Sequence, residues 1–96
     1  MSPINKKKLN LLRIKLDKLD NELLRLIKKR SNLVNEVLKV KIHKKEIIDQ
    51  KRINFILKKI KKKSIQLNID AKITNRIWKN IIWSFIDYEK RNFKKK

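Results

Sequence analysis

From Leu9 to Val40 the apolar residues keep one register. Leu9, Leu12, Leu16, Leu19, Leu23 and Leu26 alternate steps of three and four, and Leu33, Val37 and Val40 continue them. Such a seam repeats every seven residues and is the mark of a helix that packs against another helix. Nothing inside the stretch breaks a helix: the sequence has no glycine, and its single proline is Pro3. Ser2 before Pro3 suits an N-cap followed by a first-turn proline. The spacing predicts one helix from about residue 4 to about residue 41, roughly 55 Å long at 1.5 Å per residue. A helix of that length in a chain of 96 residues points to a partner helix.

The remainder reads as two shorter helices. Periodicity is lost over Ile42 to Ile48, which reads as a loop. Asp49 is a candidate N-cap for a second helix with the apolar face Ile53, Ile56, Leu57 and Ile60. Leu67-Asn68-Ile69-Asp70 reads as a turn. Asn68 can take the left-handed conformation where no glycine is present, and Asp70 can cap a third helix. That helix carries Ile73, Ile77, Trp78, Ile81, Ile82, Phe85 and Ile86. Trp78 and Trp83 follow the helical period and read as core or interface residues. The expectation is a single all-α domain over residues 1–96, one very long helix and two shorter ones, with 1–4 and 92–96 frayed.

Composition bounds the function classes. There is no cysteine, so disulfides and thiolate metal sites are excluded. No apolar run approaches the roughly 20 residues that span a bilayer. The opening MSPINKKKLN lacks the apolar core of a secretory signal, and the chain reads as cytoplasmic. Net charge is +20, which raises nucleic acid or an anionic membrane as partners. The excess of Lys, Ile and Asn also fits a genome rich in A and T. Where the charges fall decides between these explanations. Lys6 to Lys8, Lys61 to Lys63 and Lys94 to Lys96 read as solvated charge that could steer an anionic substrate. His43, alone in a lysine-rich loop, reads as solvated.

The informative polar residues interrupt the apolar stripes. Arg30 lies on the leucine seam between Leu26 and Leu33. Lys41 follows eleven residues later, about 20° around the helix and roughly 16 Å along it. Glu89 continues the stripe of Trp78, Ile82 and Phe85, where a carboxylate is costly to bury unless protonated or paired. An Arg30–Glu89 ion pair is one structural explanation. Arg13 lies 28 residues before Lys41, about 42 Å away on a continuous helix, so one chain cannot bring both to a small ligand. An antiparallel dimer with its two-fold axis near Leu23 to Leu26 would place Arg13 of one chain beside the Arg30–Lys41 stretch of the other. It would make two equivalent sites.

These residues carry a resemblance. The segments LLRIKLDKLDNELLRLIKKRSNLVNEVLKVK, IIDQKRI and IDAKITNRIWKNIIWSFIDYE, in that order, resemble the all-helical (type II) chorismate mutases over about residues 9–90. The resemblance implies an intertwined three-helix antiparallel homodimer that needs no cofactor and no metal. It implies the Claisen rearrangement of chorismate to prephenate, a step toward phenylalanine and tyrosine in the shikimate pathway. By the same resemblance, Arg30 and the partner's Arg13 would clamp the substrate carboxylates. Lys41 would meet the ether oxygen and a carboxylate, with Glu89 opposite it. Asp49 and Arg52 would lie at the start of the second helix, near the ring side of the substrate.

Three positions depart from the mutase pattern. Ile53 stands where a glutamate commonly receives the substrate hydroxyl. Phe85 stands where a serine is common, although Ser84 is adjacent. Glu89 stands where glutamine is common, although some mutases carry glutamate there. The apolar residue after Arg52 and the aromatic-Ile pair Phe85-Ile86 are more similar to isochorismate pyruvate lyase, which shares the fold. Three classes are therefore in play: a mutase, a lyase on the same scaffold releasing salicylate and pyruvate, and a basic helical nucleic-acid-binding dimer. A coiled-coil adaptor would explain the heptads but not Arg30, Lys41 and Glu89. In the mutase, catalysis would come from holding the compact reactive conformer and stabilising charge on the breaking ether oxygen. Glu89 would help only by donating a hydrogen bond, because an ionised carboxylate repels the developing oxyanion.

Overall fold

The computed structural model describes residues 2–94, and the described residues form three α-helices and one short 3-10 turn. Helix α1 spans Pro3–Val40, α2 spans Gln50–Gln66 and α3 spans Ala71–Asn92; the 3-10 turn covers Lys44–Ile47. Of the ends expected to fray, 1–4 and 92–96, residues 1 and 95–96 lie outside the described residues, whereas Pro3, Ile4 and Asn92 are helical. No helix is long and apolar enough to cross a membrane among those residues. The chain forms two compact units, Met1–Leu33 and Val34–Lys96.

The N-terminal unit is helix throughout from Pro3. Its start is fixed as the sequence suggests. The Ser2 Oγ accepts from the Asn5 N–H at 3.2 Å, and the Ser2 carbonyl accepts from the Lys6 N–H at 2.9 Å. Proline at the first helical position loses nothing, since its missing N–H would have no partner there. Helix α1 has no buried residue, and Leu12, Leu16, Leu19, Leu23, Leu26 and Leu33 are all exposed on the single chain.

The second unit holds the core. Ile47, Ile53, Ile82 and Ile86 are buried together, with Ile56, Leu57 and Phe93 packed against them. Full burial of each isoleucine contributes about 1.5–3 kcal/mol. Both predicted caps form: Asp49 Oδ1 accepts from the Arg52 N–H at 3.0 Å, and Asp70 Oδ1 from the Lys72 N–H at 2.9 Å. Asn68 supplies the left-handed turn between α2 and α3, with φ 57°. A buried pair of hydroxyls ties these helices near their junction. Ser64 Oγ meets Thr74 Oγ1 at 2.7 Å and also donates to the Ile60 carbonyl at 2.6 Å.

The structure differs from the sequence reading in one further place. The segment Ile42 to Ile48 is not plain loop: Lys44–Ile47 is a 3-10 turn that drives Ile47 into the core. One such turn is too short to show a helical period. The Glu46 carboxylate accepts from the Ile42 N–H at 3.0 Å, giving the backbone a partner just where α1 has stopped. Along α3, Ile82 and Ile86 carry the buried face, and Ile73, Ile77 and Trp83 of the same apolar set are exposed on the single chain.

Candidate functional site

Lys41 lies one residue beyond α1, its N–H reaching the Leu38 carbonyl at 3.3 Å. Glu89 lies in the last turns of α3 and is only 6% exposed. A carboxylate in that setting needs a partner. It has one: Lys41 Nζ donates to Glu89 Oε1 at 2.9 Å, with side-chain exposures of 17% and 7%. The acid that interrupts the α3 stripe and the lysine that ends the α1 register are thus one buried ion pair.

Beside this pair stands a second polar link that sequence reasoning missed. Tyr88 donates its hydroxyl to Asn35 Oδ1 at 2.7 Å, and both residues are half-buried. The Arg91 guanidinium lies 6.0 Å from the Tyr88 ring and pairs with Asp87 at 2.9 Å. The available signal was the position of Tyr88 directly before Glu89. Nothing in the sequence pairs it with a residue 53 positions away. Glu46 was also missed, and its carboxylate sets the path of the chain immediately after Lys41.

The start of α2 is arranged differently. Asp49 spends a carboxylate oxygen on the Arg52 N–H, so its side chain holds the helix end. The Arg52 side chain is exposed, with its guanidinium 5.5 Å from the Phe55 ring; Lys59 lies 5.9 Å from the same ring. This three-residue spacing is a helical neighbour relation and was legible in principle. Ile53 belongs to the core at 6% exposure. Phe85 is half-buried one turn before Glu89, and Ser84 is exposed. His43 is exposed and its side chain makes no cap bond to the 3-10 turn.

Arg13 and Arg30 belong to the N-terminal unit. Arg13 is exposed on α1, and Arg30 is half-buried. Within the second unit the structure therefore brings Lys41 and Glu89 together directly. Among the described residues, no three His, Asp or Glu side chains gather into a metal-holding cluster.

Chemically, the pair offers a compact cation held in place at the edge of an apolar core. An ammonium has three N–H donors, and Glu89 takes one. The others can bind an oxygen that gains negative charge. The family model described as chorismate mutase type II matches residues 12–90, a span that holds Arg13, Arg30, Lys41, Asp49, Arg52, Phe85 and Glu89. No curated protein and no solved structure matches the chain. With the match taking in most of its length and both halves of the Lys41–Glu89 pair, the chain belongs to the type II chorismate mutase family.

Proposed function

We propose that the protein is a chorismate mutase, one domain over its whole length, working in the cytoplasm as an intertwined antiparallel homodimer without cofactor or metal. The observation that carries this reading is the buried Lys41–Glu89 pair within a chain of that family. The dimer is supported by the leucine seam of α1, which leaves a long apolar stripe exposed on the single chain. A stripe of that extent marks an association surface.

In this reading Arg30, and Arg13 from the partner chain, hold the two substrate carboxylates. A guanidinium can donate two parallel bonds to each carboxylate, fixing the substrate in its compact conformer. Lys41 donates to the ether oxygen as the C–O bond breaks. Glu89, opposite it, helps the reaction only when it donates a hydrogen bond. Ionised, it would cancel the ammonium charge and repel the oxygen; protonated, it adds a second donor. Asp49 and Arg52 frame the ring side, and Phe85 lines the wall one turn before Glu89. The reaction needs no nucleophile, because one bond forms and one breaks within a single molecule.

A second reading is favoured by Ile53. The position where mutases commonly carry the hydroxyl-receiving glutamate is here a core isoleucine. With Phe85 in place of serine, the pattern is similar to isochorismate pyruvate lyase. The nucleic-acid reading is not carried forward: Arg30 and Lys41, the cations that break the apolar pattern, are half-buried and poorly placed for a phosphate backbone.

The test is to give the purified protein chorismate and isochorismate separately and measure prephenate, salicylate and pyruvate. Prephenate from chorismate alone supports the mutase. Salicylate with pyruvate from isochorismate alone establishes the lyase instead. Turnover of neither rejects both.

A further inference from the structure

Lysine has a long, flexible stem with many rotamers, so its charge is placed only as well as the backbone that carries it. Lys41 starts from a weak position. It lies outside α1, tied to that helix by one long backbone bond of 3.3 Å. Within the second unit, α3 packs against α2 and the 3-10 turn. The end of α1 is joined to α3 by side chains that reach across: Lys41 to Glu89, and Tyr88 to Asn35. Asn35 sits six residues before Lys41, about 9 Å along the helix axis. Tyr88 and Glu89 are adjacent in α3, so they project about 100° apart around it. The two bonds therefore grip the end of α1 at two points and from two directions.

They differ in kind. The Lys41–Glu89 bond joins the groups assigned to the reaction. The Tyr88–Asn35 bond joins two neutral groups that no step uses, at 2.7 Å and half-buried. The Tyr88 ring is rigid and lies beneath Arg91, and a phenol with two rotatable bonds gives up little freedom to reach its acceptor. We propose that Tyr88 and Asn35 are positioning residues: their hydrogen bond fixes the last turns of α1 against α3 and so sets the Lys41 ammonium against Glu89. The inference rests on the mutase reading of Lys41 and Glu89 for its kinetic consequence, but not for its structural one.

The test compares Tyr88→Phe, Asn35→Leu and the Y88F/N35L double variant with the wild type. Each single variant should lose about tenfold in kcat, a barrier change of ~1.4 kcal/mol, while KM moves less than about twofold. The double variant should lose no more than either single one, because one bond is lost in all three. A purely structural role would lower the melting temperature and leave kcat per folded site unchanged, and that outcome overturns the proposal. So do losses that multiply in the double variant. A second readout is independent of turnover. In lysine labelled with 15N at the side chain, the Lys41 ammonium should exchange slowly while it is paired with Glu89, and its signal is assigned by its loss in K41R. Exchange should become faster in both single variants under conditions where they are fully folded. An unchanged Lys41 signal there overturns the proposal even if kcat falls. Should the wild type turn over neither chorismate nor isochorismate, the mutase reading fails, and the ammonium signal still decides the positioning claim.

Discussion

Removing Lys41 should do two separable kinds of damage. Lys41→Met leaves the Glu89 carboxylate at 7% side-chain exposure on the same helix as the buried Ile82 and Ile86. Breaking a buried pair from one side costs about 3–5 kcal/mol, because the remaining charge has lost its compensation. Lys41 itself keeps some contact with water at 17% exposure, so the lower end, about 3 kcal/mol, is expected. Glu89→Met should cost less, about 1–2 kcal/mol, because the stranded ammonium can swing its stem toward solvent. The K41M/E89M double variant should recover to within about 1 kcal/mol of the wild type, since two apolar side chains of similar volume remove the buried charges altogether. Activity should not recover: K41M and the double variant should both lose about 10²–10³-fold in kcat, the usual cost of removing one donor to a developing oxyanion. Urea unfolding followed by helical circular dichroism, at one protein concentration throughout, measures the first set. Chorismate consumption measures the second. A double variant as unstable as K41M would refute the view that charge compensation, rather than packing, makes the pair matter.

Glu89→Gln keeps a donor and an acceptor but cannot ionise. E89Q should therefore keep kcat within about tenfold of the wild type, whereas E89M, with no donor, should lose about 10²-fold or more; equal losses in the two variants reject hydrogen-bond donation at this position. If each site takes Arg13 from one subunit and Lys41 from the other, mixing inactive R13A with inactive K41M should restore activity. Random re-pairing in equal amounts gives about a quarter of the wild-type rate, since half the dimers are mixed and each has one intact site. No recovery after exchange is shown by mass spectrometry rejects the shared site. Asn68→Ala should destabilise the chain by about 1 kcal/mol, the cost of a Cβ in the left-handed region without the local bonds asparagine can make; an unchanged urea midpoint would show the turn relaxing instead.

What was legible in the sequence follows from which interactions are local. The α1 register, the Ser2, Asp49 and Asp70 caps and the Asn68 turn are set by residues within four positions of one another. Their chemistry can be read along the chain. The burial of Glu89 was legible too, because it interrupts an apolar stripe, and so was its need for a proton or a partner. Its pairing with Lys41 was not read: the sequence suggested an Arg30–Glu89 pair and set Lys41 opposite Glu89 only by resemblance, since the spacing within each helix says nothing about how helices meet. The Tyr88–Asn35 bond was invisible for the same reason. The exposure of Ile73, Ile77 and Trp83 shows the converse limit. Periodicity identifies a face that ought to be covered, and it does not say whether the cover comes from the same chain.

The Ser64–Thr74 hydroxyl pair has a kinetic consequence. It joins residues only ten positions apart, across a turn that Asn68 already bends. Closing so short a loop costs little chain entropy, so α2 and α3 can meet on the microsecond scale of a local search. Contacts from the end of α1 to α3 span about fifty residues and must wait. The connectivity therefore predicts an order of events: a two-helix clasp that forms early, and a lysine delivered to it last, so Ser64→Ala should slow folding more than Asn35→Leu does.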